Sequence, residues 1–186
     1  MRKIVYAMNI SIDGCYDHTM IDGDAELHEH FANLGQDVDL TIYGRKMYEL
    51  MVPYWTEVAK KKTAVKGTDD FAKTIIELPK IVFSTTLQQA DVDGNTTILR
   101  GDLEDEVRKL KALPGKNISI AGMTLRSQLT AAGLVDEYHF VIHPLLIGGD
   151  GPRLMAGIGF PEKLKLKLLS STILRSGAVG LHYIKA

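Results

Sequence analysis

The run Ile118-Ser119-Ile120-Ala121-Gly122-Met123-Thr124-Leu125 constrains this chain more than any other stretch. It reads as a buried strand that turns at a glycine straight into an amphipathic helix. Such a junction aims several backbone N–H groups and the positive end of a helix dipole at one point, a setting for phosphate. Gly148-Gly149-Asp150-Gly151 follows downstream as a second glycine-rich element. Two similar strand ends lie upstream, Thr41-Ile42-Tyr43-Gly44-Arg45-Lys46-Met47 and Ile81-Val82-Phe83-Ser84-Thr85-Thr86. Strand ends carrying Gly, Arg, Lys and hydroxyls suit a dinucleotide with several phosphates better than a ligand with one.

Strand and helix signals alternate along all 186 residues, without repeats, low complexity or a Pro/Ser-rich linker, so 1–186 reads as one domain. Strands are predicted at 3–10, 38–43, 80–84, 96–99, 117–121 and 135–143. A polar loop with Asp13-Gly14 and Asp22-Gly23 follows the first. Leu27, Phe31 and Leu34 have helical spacing behind a candidate N-cap, Asp24. Further helices are marked by Met47 and Met51, by Phe71 and Ile75, and by Leu103, Val107, Leu110 and Leu113, the last stopped by Pro114-Gly115. Leu125 and Leu129 mark another, closing near Gly133. The Lys-rich segment 52–67 is expected to be loop. Residues 163–174 begin with strict Lys/Leu alternation, the pattern of a half-buried strand, and Ser176-Gly177 turns it into a strand at 178–184. Repeated strand–helix units imply right-handed crossovers and a parallel sheet, to which a terminal hairpin adds antiparallel strands. The expected fold is therefore α/β: a three-layer α/β/α domain with a mixed, mostly parallel sheet and a C-terminal antiparallel hairpin. In such open sheets ligands gather beyond the carboxyl ends of the strands, where all three phosphate candidates begin.

Composition removes several alternatives. A net charge of −1 gives no basic field for nucleic acid. The single cysteine, Cys15, excludes an internal disulfide framework and a Cys-based zinc site. The start Met1-Arg2-Lys3-Ile4-Val5 lacks the pattern of a signal peptide, and no apolar run approaches the roughly 18 residues of a membrane span. A cytoplasmic protein acting on a small molecule is expected, with neither nucleic acid nor membrane as partner. No metal constellation is expected from the histidines: His28 and His30 diverge on a helix, and His139 and His143 alternate onto one strand face.

In order and spacing these segments resemble the dihydrofolate reductase-like superfamily, and within it the branch of the bacterial riboflavin-biosynthesis reductase domain. The resemblance covers nearly the whole chain. It is carried by Ser11-Ile12-Asp13-Gly14, Gly44-Arg45-Lys46-Met47-Tyr48-Glu49, Tyr54-Trp55, Phe83-Ser84-Thr85-Thr86, Leu110-Lys111 before Pro114-Gly115, and Ala121-Gly122. The longest match joins Gly133-Leu134-Val135-Asp136-Glu137-Tyr138 to Pro144-Leu145-Leu146-Ile147-Gly148-Gly149-Asp150-Gly151. The resemblance implies NADPH as cofactor. Gly44, Arg45, Lys46 and Met47 would meet phosphate, with Met47 where relatives often carry Thr. Ser84, Thr85 and Thr86 match the segment that meets the adenosine 2′-phosphate, although no arginine stands beside them in sequence. Gly122, Met123, Thr124 and Leu125 would hold the pyrophosphate, with Met123 where many relatives have Gly or Ser.

Plainer readings stand beside these. Ser84–Thr86 equally suits turn hydrogen bonds. Tyr54 and Trp55 either wall a planar substrate or pack a core. In dihydrofolate reductases a carboxylate near the start of the first helix assists protonation. Here Asp22, Asp24 and Glu26 lie in that region, but alignment on Phe31 puts Leu27 at the expected spot. Asp13 is the alternative acid, with an Asx-type turn before Gly14 as its competing role. Lys60, Lys61 and Lys62 are candidates for a substrate phosphate, or a solvated surface. No His-x-Glu and Pro-Cys-x-x-Cys deaminase signature accompanies the chain. The reading is thus an NADPH-dependent reductase of a pterin- or ribosylaminopyrimidine-like substrate. A non-catalytic NADPH- or nucleotide-binding protein and a structural module are its alternatives. Relatives often form homodimers, for which strand 135–143 and the terminal hairpin are candidate surfaces.

Overall fold

Every strand predicted from the sequence enters a single eight-stranded sheet in a computed structural model that describes residues 1–155, 159 and 163–186. The strands are β1 (Ile4–Ser11), β2 (Val38–Gly44), β3 (Lys80–Phe83), β4 (Thr96–Leu99), β5 (Asn117–Ala121), β6 (Glu137–His143), β7 (Leu166–Ile173) and β8 (Val179–Lys185). Their spatial order is β4-β3-β2-β5-β1-β6-β8-β7. The first six are parallel, and β8 and β7 are antiparallel additions. The sheet is mixed and mostly parallel, as the alternating pattern required.

Five helices cover the two faces: α1 (Ala25–Gly35), α2 (Arg45–Lys61), α3 (Lys66–Glu77), α4 (Leu103–Ala112) and α5 (Met123–Ala131). Side chains alternate across a strand, so each face collects its own core. Ile4, Tyr6, Met8 and Ile10 of β1 join Ile118 and Ile120 of β5 against Val107 of α4 and Leu125 and Leu129 of α5. On the opposite face Tyr43 and Val82 pack with Tyr48 and Val52 of α2, and Val141 meets Leu27 of α1. Asp24 caps α1 as expected, its carboxylate accepting from the Leu27 N–H at 2.7 Å. Such a cap is worth about 1 kcal/mol.

Two expectations need correction. Residues 52–67 are not loop: α2 runs to Lys61 and α3 begins at Lys66. Pro53 lies inside α2, where it removes a hydrogen bond and normally costs about 3 kcal/mol. The helix continues because Tyr48, Val52 and Trp55 form one buried stripe across that position. Lys60 and Lys61, the residues that made the segment look like loop, complement the negative end of the helix dipole. Strand β7 is also not half-buried. From Lys167 to Ile173 it is exposed, because it is the outermost strand and has a neighbour on one side only. The turn before β8 is as expected: Gly177 adopts φ +83°, and Leu174 and Ala178 close the hairpin at 2.9 Å.

Candidate cofactor site

Strand order decides which predicted segments can meet. β4, β3, β2 and β5 are consecutive neighbours, so their carboxyl ends form one rim. At about 4.8 Å per strand, that rim is on the order of 14 Å long. Gly44 ends β2 and opens α2, and Gly122 follows β5 and opens α5. The two glycines are in near contact: a Cβ on Gly122 would lie 3.3 Å from the Gly44 backbone nitrogen. Gly122 also adopts φ +110°, which disfavours any side chain.

Neither helix is capped by a side chain, and neither has an acidic residue in its first turn. Two positive helix ends therefore converge on one spot. Arg45 lines the adjoining cavity and Lys46 is exposed in the same first turn, where both oppose the α2 dipole, an arrangement that an anion relieves. Arg45 is held loosely by Glu49, one turn along, at 3.6 Å. The sulfur ends of the two methionines turn away from this spot, although the Met47 Cβ would lie 3.6 Å from a Cβ on Gly122. The Tyr6 hydroxyl donates to the Met123 sulfur at 3.8 Å, directing that side chain into the core, and Met47 packs against the Tyr43–Tyr48 cluster. Leu125 is buried against Gly44, and Thr124 is exposed in the first turn of α5.

Beside this junction lies a cavity of about 400 Å³ lined by Arg45, Ser84, Thr85, Thr86, Arg100 and Gly101, among others. The Ser84 Oγ accepts from the N–H groups of Thr86 at 3.2 Å and Leu87 at 3.1 Å, forming a turn. That fulfils the plainer reading for Ser84 while leaving the exposed Thr85 and Thr86 facing the cavity. The arginine that the sequence does not place beside these hydroxyls comes from the next strand. Arg100 follows β4 and donates to the Leu87 carbonyl, which fixes its guanidinium along the cavity wall.

Arg126 is a second residue that the sequence analysis missed. It is buried in the first turns of α5, donating to the carbonyls of Ile120 at 3.0 Å and Ala7 at 2.7 Å. Its guanidinium also lies 4.9 Å from the centre of the Tyr6 ring. Burial lowers its pKa, and burial pushes the Tyr6 hydroxyl up to about 12. A guanidinium remains protonated even so, leaving a fixed positive charge beneath the rim. The available signal was spacing, since Arg126 lies between Leu125 and Leu129 on the buried side of its helix.

The remaining candidates fall elsewhere. Trp55 is buried on the far side of α2, its ring 4.7 Å from Phe71 and 5.1 Å from His28. It is a packing residue, with Tyr54 exposed beside it. Lys60, Lys61 and Lys62 end α2, roughly 24 Å along the axis from Arg45 at about 1.5 Å per residue, and Lys60 pairs with Glu57. Glu26 is committed to the hairpin turn, where it accepts from the Arg175 N–H at 2.8 Å.

Asp13 lies where two loops meet. Its carboxylate accepts from the Ser11 hydroxyl at 2.5 Å, from the N–H groups of Gly148 at 2.8 Å and Ile147 at 3.2 Å, and pairs with Arg153 at 3.1 Å. The Ser11 hydroxyl first, then the Gly148 amide, hold this carboxyl well below the usual range. With four partners on one carboxylate, Asp13 fastens the glycine loop after β6 to the turn after β1. Its depressed folded pKa makes its contribution complete above the unfolded value near 3.9, and that contribution fades as pH falls towards the folded value. Asp13→Asn is therefore expected to flatten the acid limb of a melting-temperature profile below about pH 4. A limb identical to wild type would remove the clamp.

A mixed, mostly parallel sheet with helices on both faces and two uncapped helix N-termini meeting at its carboxyl rim defines an α/β class of protein. The model of the RibD C-terminal domain family matches residues 2–179, and the chain belongs to that family. It is 27% identical to YyaP of Bacillus subtilis (strain 168), itself uncharacterised, over 98% of this chain and 94% of that protein. Among solved structures it is similar to a Shewanella sp. PV-4 protein assigned to riboflavin biosynthesis, with a TM-score of 0.69 and 19% identity over 100% of this chain and 99% of the other. It is also similar to a diaminohydroxyphosphoribosylaminopyrimidine deaminase/5-amino-6-(5-phosphoribosylamino)uracil reductase of Thermotoga maritima. That match has a TM-score of 0.69 and 13% identity, and covers 100% of this chain and 57% of the other. The fold is that of the riboflavin-biosynthesis reductases. Among the described residues no helix is long and apolar enough to cross a membrane.

Proposed function

We propose that this protein is an NADPH-dependent reductase that transfers hydride to a small pterin- or ribosylaminopyrimidine-like substrate. The observation that carries this reading is the meeting of two uncapped helix N-termini at Gly44 and Gly122, beside the cavity of Arg45, Thr85, Thr86 and Arg100. The first feature suits a pyrophosphate. The second suits a further phosphate on the ribose, which distinguishes NADPH from NADH. Bound NADPH supplies the hydride; the chain's own residues bind and orient. Met123, Thr124 and Leu125 offer backbone N–H groups, Arg126 adds fixed charge from below, and Asp13 holds the loop at Gly148 beside the end of β1.

Thermal unfolding with NADPH, NADH and ATP tests the reading, because a ligand that binds only the folded state raises its stability. The largest rise is expected with NADPH. Arg100→Ala should lower NADPH affinity about 10- to 100-fold, the worth of one charge-assisted hydrogen bond, and leave NADH affinity unchanged. Equal losses for both dinucleotides would remove Arg100 from 2′-phosphate recognition.

A second reading, an NADPH-binding protein without turnover, draws on Asp13, whose carboxylate is committed to the loop rather than held as an acid. NADPH binding without oxidation across pterins and ribosylaminopyrimidines would select it.

A further inference from the structure

At the other end of the sheet, on the face covered by α1, Glu137 and His139 project from β6 at alternate positions, and His182 faces His139 across the β6–β8 ladder. The two imidazoles stack with ring centres 3.9 Å apart. Both Nε2 atoms approach the same carboxylate oxygen of Glu137, at 3.4 Å from His139 and 3.3 Å from His182. Within this group the buried His182 Nε2 makes no hydrogen bond. The other carboxylate oxygen accepts from the Lys3 ammonium at 2.6 Å, which fixes the rotation of the carboxylate.

We propose that Glu137, His139 and His182 bind a divalent first-row transition metal ion, zinc by preference. Two imidazoles and one carboxylate form a donor set suited to that class of ion. The spacing of each imidazole nitrogen from the carboxylate oxygen agrees, since ligands about 2.0–2.1 Å from a tetrahedral zinc lie roughly 3.3–3.4 Å from one another. All three donor atoms lie within 4.8 Å of one another, and the rings, now 20° from parallel, turn apart as both lone pairs meet the ion. The one orphaned nitrogen among the three gains its partner in the ion. Lys3 acts as an outer-shell residue that orients the ligand carboxylate. The site opens into a cavity of about 240 Å³ bounded by His30, Ser170 and Thr172 among others, so a position on the metal remains for water or a small ligand. It lies near the amino ends of β1 and β6, remote from the Gly44–Gly122 rim, and does not depend on the cofactor reading.

The test is a titration of chelator-stripped full-length protein with Zn²⁺ alone, by calorimetry and by the histidine ring signals in ¹⁵N NMR. One ion per chain is expected, with the rings of His139 and His182 shifting together. His182→Asn should weaken binding at least 100-fold, and Lys3→Met, which keeps all three ligands, about 10- to 100-fold. NADPH affinity should be the same in His182→Asn as in wild type. The proposal is overturned if no Zn²⁺ binds up to about 1 mM, or if His18, His28 or His143 shift in place of the pair. Because the ring signals are read on wild-type protein, the outcome stands even if a variant fails to fold.

Discussion

Gly122→Asp is expected to abolish NADPH binding, with affinity falling at least about 100-fold by calorimetry. Two effects combine. A side chain at φ +110° costs about 1–3 kcal/mol, and its Cβ would press on the Gly44 backbone at 3.3 Å. Aspartate is also a favoured N-cap, so its carboxylate would take the N–H groups of α5 that a phosphate would otherwise occupy. Losing two charge-assisted hydrogen bonds of about 1.5–3 kcal/mol each accounts for the fall. Gly122→Ala separates the two effects, since it keeps the backbone strain and adds no anion. It should lower the melting temperature more than the aspartate, which gains about 1 kcal/mol as a cap, and weaken NADPH far less. Unchanged NADPH affinity in Gly122→Asp would end the cradle reading.

Trp55→Ala is expected to cost about 3–5 kcal/mol of folding stability in denaturant titrations. The indole is buried and packs edge-on between His28 of α1 and Phe71 of α3, so its removal opens a cavity where three helices meet. NADPH affinity, measured where the variant is still folded, should stay within about twofold of wild type because the indole faces away from the rim. Loss of ligand binding with stability intact would return Trp55 to the substrate wall.

The correction at Trp55 shows where a sequence is ambiguous. An aromatic pair on a helix signals burial of large apolar area, but core and ligand wall require the same residue types. The segment 52–67 failed for a related reason. Proline and a lysine run are local signs of loop, and a buried stripe from Tyr48 to Trp55 outweighs them only once β2, β3 and α3 supply the other side. The candidate site was legible where the backbone itself is the feature, at Gly44 and Gly122. It was illegible at Arg100, which lies outside every motif and reaches the Ser84 turn because β4 pairs with β3.

The Glu137–His139–His182 cluster is the clearest case of this kind. The sequence pairs His139 with His143 on one strand. The structure brings in His182, far along the chain from His139, through antiparallel register.

From the sequence alone came the α/β class, all eight strands, the caps and turns at Asp24 and Gly177, and the glycines at which chain and phosphate can approach. These follow from periodicity and backbone conformation, which are properties of neighbouring residues. Only the tertiary structure decided which strand ends adjoin, that Arg100 and Arg126 flank the rim, that Asp13 is a clamp, and that two histidines and a glutamate share one point. Those are contacts between residues far apart in the chain, fixed by strand order and register, and no local pattern encodes them.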